Sequence, residues 1–213
     1  MRATVKVVKS RSGVKSRRPP KAERDKLRRD QIVVAAQKCV VLHGFHAASI
    51  SAIAANAEMS VGQIYRYFAN KDAIVQAIVE GIVERRLRSL IEKPLRRINS
   101  TDMARHLVTD VPVEFRDDDI LMLEATVEAT RNPTVAQIVK EADQRLLAHA
   151  AAVFGRDHPH LDARDASARF EALVSLFEGT LLRRLTGRGR TDNRIRRVYE
   201  AMIEAALSKG SPE

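Results

Sequence analysis

The chain has 213 residues, only 9 Gly and 7 Pro among them, a smaller share than the roughly 12% typical of globular chains. With 29 Ala, nine aromatic residues and no Trp, it favours helices over a sandwich or barrel, and a single Cys leaves no internal disulfide and no Cys-based zinc site. The net charge of +10 is uneven: residues 1–30 hold 12 Lys/Arg against 3 Asp/Glu, whereas residues 31–213 hold 25 against 24.

That asymmetry starts at the N-terminus, where a cationic arm precedes a near-neutral body and points to a polyanionic partner, nucleic acid or an anionic membrane surface. Residues 1–20 are poor in large apolar groups and end in Arg17-Arg18-Pro19-Pro20, which predicts a disordered or loosely extended segment. Lys6 and Lys9 interrupt Val5, Val7 and Val8, so no signal-peptide apolar stretch forms, and no segment reaches the ~18 apolar residues of a membrane span. A cytoplasmic protein with no membrane partner is expected.

A first helix is predicted from Lys21 to His43, with Leu27, Ile32, Ala35, Ala36, Cys39, Val40 and Leu42 at three- and four-residue steps and Gly44 as its stop. Ser49 can cap a short helix over 50–57, the pair Glu58-Met59 makes a turn, and Ser60 can cap a second short helix over 61–68. Asn70 then caps a long helix over 71–92. Two short helices joined by a turn of about three residues have the spacing of a helix-turn-helix. Beyond Pro94, Ser100 or Thr101 can start a helix to Phe115, bent near Pro112, and Asp117-Asp118-Asp119 sits where the next helix, 120–130, would begin. Asn132-Pro133 opens a helix to Phe154 as cap and first residue; the last two helices are expected over 163–186 and from about 193 to 208. The sum is nine helices, an all-α chain with three small elements at the front and six behind.

Within residues 44–72, Phe45, Ile53, Ala54, Ala57, Met59, Ile64 and Phe68 can close a miniature core. Val61, Gly62, Gln63, Tyr65, Arg66 and Tyr67 are then left on or near the exposed face of the second short helix. Such a helix enters a major groove with its N-terminal residues at base edges. Gly62 carries no side chain to hold the backbone away, Gln63 suits adenine, and Arg66 suits guanine or a phosphate. Tyr65, Tyr67, Lys71 and the N-terminus of the helix capped by Ser49 can reach phosphate oxygens.

Gly44-Phe45, Ser49, Ile53-Ala54, Ala57, Met59-Ser60, Gly62, Ile64-Tyr65-Arg66-Tyr67-Phe68 and Asn70-Lys71 together closely resemble the DNA-binding domain of the TetR family of transcription regulators. The resemblance covers roughly residues 22–80. Glu58 departs from it, since family members often carry a turn glycine there; a left-handed non-Gly residue costs about 1–2 kcal/mol, and its carboxylate repels a nearby phosphate. The resemblance implies a helix-turn-helix domain over 21–70, preceded by a basic arm (1–20), and a helical effector-binding and dimerisation domain over 71–213. It also implies a homodimer paired through the last two helices, a pseudo-palindromic double-stranded DNA operator, and a small-molecule effector that releases a repressor. DNA-binding residues are expected at Ser49, Ser60, Val61, Gly62, Gln63, Tyr65, Arg66, Tyr67 and Lys71, with Arg11, Lys15, Arg17 and Arg18 of the arm beside them. Effector contacts are expected at Leu107, Val111, Phe115, Leu121, Met122, Glu128, Phe170 and Phe177. Two apolar stripes fit the dimer: Phe170, Leu173, Val174, Phe177, Leu181 and Leu182, then Tyr199, Met202, Ile203, Ala206 and Leu207.

Two other readings compete. An architectural DNA-binding protein of the same fold would fill the rear cavity and need no effector. A helical enzyme would use His158 and His160, which flank a proline in a loop, or His106 and Glu114, two turns apart on one expected helix. No nucleophile motif, phosphate loop or zinc-helix motif supports an enzyme, and no catalytic residue, metal or cofactor is expected.

Overall fold

The computed structural model describes residues 20–92, 99–109 and 113–208, without the side chains of 90–92, 113–116 and 157. Among the described residues every regular element is a helix: α1 Lys21–Ala47, α2 Ile50–Asn56, α3 Val61–Tyr65, α4 Lys71–Glu92, α5 Ser100–Val108, α6 Val113–Ala129, α7 Pro133–Asp157, α8 Ala163–Leu185 and α9 Asn193–Leu207. The expected arm residues Arg11, Lys15, Arg17 and Arg18 lie outside the described residues, as do Val111 and the side chain of Phe115.

Local chemistry sets most of the helix starts. Ser49 accepts a hydrogen bond from the Ala52 amide, Asn132 from those of Thr134 and Val135, Asp162 from Arg164 and Asp165, and Asp192 from Arg194 and Ile195. Each answers amides that a helix's first turn leaves unpaired. The two amide bonds to Asp192, with the Arg190 guanidinium, hold its carboxyl below the usual range.

Three expectations need correction in the middle of the chain. The helix expected to run to Phe115 ends at Val108, its cap is Asn99 rather than Ser100 or Thr101, and residues 113–115 already belong to α6. His106 and Glu114 therefore lie on different helices. Pro112, expected to bend that helix, lies outside the described residues. The acidic run sits inside α6 and ties it to α4: Arg85 grips Asp118 at 2.6 and 2.9 Å, and Arg86 meets Asp119 at 3.0 Å. Burial pushes the Asp119 carboxyl up, and Arg86 opposes that shift.

The buried side chains form two clusters. The larger one runs from Ile32, Cys39 and Val40 of α1 through Ile53, Ile64 and Phe68 to Ile74–Val83 of α4, and on to Leu121, Ala125, Val135 and Ala142. Leu27 and Leu42, expected in this core, are exposed, because their positions fall off the arc that Ile32, Ala36 and Cys39 define. Cys39 is buried, which raises its thiol pKa and suits a small apolar filler. The smaller cluster joins Ala104, Leu107, Phe154, Ala166, Leu173 and Ile203 across α5, α7, α8 and α9.

Candidate nucleic-acid interface

The turn between α2 and α3 is built from backbone bonds. The Met59 amide donates to the Ala54 carbonyl at 3.0 Å and the Glu58 amide to Ala55 at 3.2 Å, a Schellman-type closure that needs a left-handed residue at Glu58, whose φ is 53°. The strain expected at Glu58 is therefore present. From α1, Gln31 Nε2 donates to the Ala57 carbonyl at 2.8 Å and fixes the turn from behind.

α3 is shorter than the sequence suggests, ending at Tyr65 instead of Phe68. Its inner side carries Ile64, which is fully buried, with Phe68 just beyond. Its outer side presents Val61, Gly62, Gln63, Tyr65 and Arg66, all exposed. An added Cβ at Gly62 would meet no protein atom nearer than the Ser60 hydroxyl at 4.0 Å. Packing does not demand this glycine, and its bareness leaves the backbone open to a close approach from outside.

Ser60 and Gln63 form a capping box: the Gln63 amide donates to Ser60 Oγ at 3.2 Å and the Ser60 amide to Gln63 Oε1 at 2.8 Å. Gln63 thus has one lone pair of its carbonyl occupied, while its NH2 remains available to an acceptor such as a purine N7.

Two of the expected DNA contacts are turned inward. Tyr67 is half-buried and its hydroxyl donates to Asp25 Oδ1 at 3.4 Å. The Lys71 ammonium donates to the Phe45 carbonyl and lies 4.9 Å from the centre of the Phe45 ring. Partial burial lowers the Lys71 pKa, and Glu128 and Asp72 oppose that shift. Ser49 and Ser60 are exposed and capped onto their own helices.

Several supporting residues carry no local sequence signal. Arg29 donates to the Tyr67 carbonyl at 2.6 Å and stacks 4.2 Å over the Phe68 ring, pinning the end of α3 to α1. Glu124 of α6 accepts from the Phe45 amide at 2.9 Å, next to Gly44, whose φ of 76° breaks α1. A Cβ on Gly44 would sit 3.3 Å from that carboxylate. Asn132 donates to Asp72 at 3.1 Å. The reading head is thereby fastened to α6 and to the start of α7.

The expected effector residues divide between the two cores. Leu107, Phe170 and Phe177 belong to the rear cluster, and Leu121 and Met122 to the front one. Glu128 is half-buried, lies near Lys71 and pairs with Arg131 at 3.7 Å. A cavity of about 580 Å³ opens instead between the first turns of α4 and α7, lined by Asn70, Asp72, Gln76, Gln137 and Glu141 among others. Elsewhere in the rear, the buried His149 Nε2 has no hydrogen-bond partner among the described residues. His158 stacks on Phe154 with ring centres 4.3 Å apart, and no cluster of metal-binding type occurs among the described residues.

A five-residue helix backed by the front core, bare at Gly62 and polar at Gln63 and Arg66, defines a helix-turn-helix regulator of the DNA-binding class. Comparison with known proteins gives the same class. The family described as bacterial regulatory proteins, tetR family, matches residues 32–78, and the tetracyclin repressor-like C-terminal domain matches residues 95–209. The chain belongs to the TetR family. The transcriptional regulator UidR of Escherichia coli K12 is 33% identical over 112 residues, covering 53% of this chain and 57% of that protein, so the chain matches little more than half the relative's length. Salmonella enterica GusR has the same fold, with a TM-score of 0.68 at 22% identity over 85% of this chain and 95% of its own. A Saccharomonospora viridis regulator solved with choline gives 0.63 at 22%, over 84% and 96%. The named relatives are regulators of transcription, not enzymes. No described helix is long and apolar enough to cross a membrane.

Proposed function

We propose that the protein is a homodimeric repressor that reads a pseudo-palindromic operator with one α3 per half-site and is released by a small molecule bound behind the reading heads. The observation that carries the reading is the outer face of α3, bare at Gly62 and polar at Gln63 and Arg66. In this arrangement Val61, Gly62 and the Gln63 NH2 approach base edges. Arg66 and Tyr65 reach a base or phosphate, and Ser49 and Ser60 place helix N-termini at the backbone. Tyr67 and Lys71 act indirectly, by holding α3 and the Gly44–Phe45 link in place.

Dimerisation is supported by the outer face of α9, where Val198 and Met202 are 53% and 50% exposed. The stripe drawn from the sequence mixes two sides of that helix: Tyr199, Ile203, Ala206 and Leu207 pack inward, and Met202 faces out with Val198. Effector control is supported by the unanswered His149 Nε2 and by a structural neighbour that holds choline. A ligand acts through its differential affinity for the two dimer geometries, and a coupling of about 1–3 kcal/mol loosens operator binding 5–150-fold.

Selection of random duplexes on the purified protein tests the operator reading, followed by release of the selected site by a small-molecule panel with choline as first probe. A two-fold symmetric site is expected, and Arg66→Ala should weaken it by about 1–3 kcal/mol more than random DNA. Equal loss on both duplexes would remove Arg66 from base reading. The arm, residues 1–20, is proposed to add phosphate contacts; deleting it should flatten the salt dependence by about 0.9 in log–log slope per lost contact.

A further inference from the structure

The near neutrality of the body hides a local excess of positive charge. Residues 183–197 hold seven Arg, no Lys and one acid, Asp192, while the rest of 31–213 has a net charge of −5. α8 ends there in a Schellman closure. The Arg188 amide donates to the Arg183 carbonyl at 2.7 Å and the Gly187 amide to that of Arg184 at 3.0 Å, around Gly187 at a φ of 68°. The chain then folds back so tightly that a Cβ on Gly189 would stand 2.6 Å from Arg184 Cγ and 3.1 Å from its Cα. This turn gathers its guanidiniums. Arg183 donates to the Arg188 carbonyl at 3.2 Å, and Arg188 Nε to Thr186 Oγ1 at 2.9 Å. Arg183, Arg188 and Arg190 are all exposed, and of the three only Arg190 meets a carboxylate among the described residues, the equally exposed Asp192 at 2.8 Å.

We propose that Arg183, Arg188 and Arg190 form a second DNA contact, a sequence-independent grip on duplex phosphates outside the reading head. Guanidinium suits this role, because its planar fork bonds a phosphate oxygen pair in bidentate fashion. Three like charges on one turn repel one another, and a row of phosphates offsets that repulsion. An exposed turn suits an extended polyanion, whereas a small anion needs a concave site. Duplex DNA is the polyanion that this class of protein already holds. The end of α8 also lies near the part of the body to which the head is fastened. Arg184 acts on the Asp119 carboxyl, and five residues further along α6, about 8 Å, Glu124 accepts from the Phe45 amide of the head. The contact requires neither a dimer nor an effector. It goes beyond operator reading, since phosphates carry no base identity.

The test compares the full-length protein with a variant carrying Arg183→Gln, Arg188→Gln and Arg190→Gln, none of which lines the groove on α9. Circular dichroism and thermal melts should match wild type. On a random duplex the log–log salt dependence should flatten by about 2–3, at about 0.9 per lost phosphate contact. Affinity for a selected operator should fall by the same factor, so the ratio of operator to random binding stays constant. The arm is present in both proteins and cancels from the comparison. A second variant with Arg183→Lys, Arg188→Lys and Arg190→Lys keeps the charges and should restore most of the slope. Equal slopes for wild type and the glutamine variant would overturn the proposal. So would a loss that lysine does not restore, since the arginines would then only hold the turn, and so would a loss confined to the operator, which would trace to the heads. A wild-type chain that selects no operator would remove the operator reading, and the slope on random duplex would still decide the turn.

Discussion

The front and rear of the molecule bury their apolar residues to very different degrees. From Ile32 to Phe68 the reading head packs into a core that continues without a break into α4, α6 and α7, and the polar groups at its turns are answered by Gln31, Arg29, Glu124 and Lys71. The rear cluster is small, and α9 leaves Val198 and Met202 half in water, with Leu182 of α8 also exposed. The head is well packed, although Leu27, Val34 and Leu42 of α1 are also exposed. Under the proposed dimer, the α9 strip is the surface that a second copy would cover.

The comparison breaks most sharply at two side chains of similar size. Phe68→Ala removes a ring that is 2% exposed and should cost about 3–5 kcal/mol, seen as a lower denaturation midpoint. Because its core is shared with α4 and α6, the loss should appear equally in probes of head and body. Met202→Glu, in contrast, should leave the monomer's midpoint nearly unchanged and should abolish dimers at micromolar concentration. A large fall in monomer stability for Met202→Glu would show that α9 faces inward.

The junction between the regions gives the next effect. Glu124→Ala removes the acceptor of the Phe45 amide and leaves a part-buried donor unanswered, at a cost of about 1–3 kcal/mol. Faster hydrogen exchange at the Phe45 amide should accompany it, and exchange unchanged from wild type would separate Glu124 from the head. The smallest effect runs the other way. Glu58→Gly relieves a left-handed residue and should stabilise the head by about 1 kcal/mol while removing a negative charge near the DNA face. A destabilised variant would mean that the Glu58 side chain has a role the turn does not show.

The parts of this structure legible in the sequence are those governed by neighbours in the chain. Ser49, Ser60, Asn70 and Asn132 cap helices because a short polar side chain before an apolar run meets amides a few residues away. The outward side of α3 follows from spacing in the same manner, whereas the left-handed residue at Glu58 is what the family resemblance implies. What failed depended on distant partners. The acidic run 117–119 reads as the lead-in to a helix, and only its Arg85–Asp118 and Arg86–Asp119 pairs, 33 positions apart, tie it to α4 from inside α6. Lys71 and Tyr67, read as phosphate ligands beside a reading helix, bond to Phe45 and Asp25, 26 and 42 positions away, contacts that no local pattern announces. Glu124 carries no signal at all, since its partner is a backbone amide 79 positions earlier.

The central claim is that well-packed heads are held at a fixed separation by an interface in the rear. The direct measurement is affinity for a selected operator as base pairs are inserted between its half-sites. Two heads on one rigid dimer require half-sites on one side of the duplex, about 34–36 Å apart or a multiple of it. Five inserted base pairs turn one half-site to the opposite side, and affinity should fall to that of a single half-site. If affinity is indifferent to the insertion, the heads bind independently and the rear of the molecule does not set their spacing.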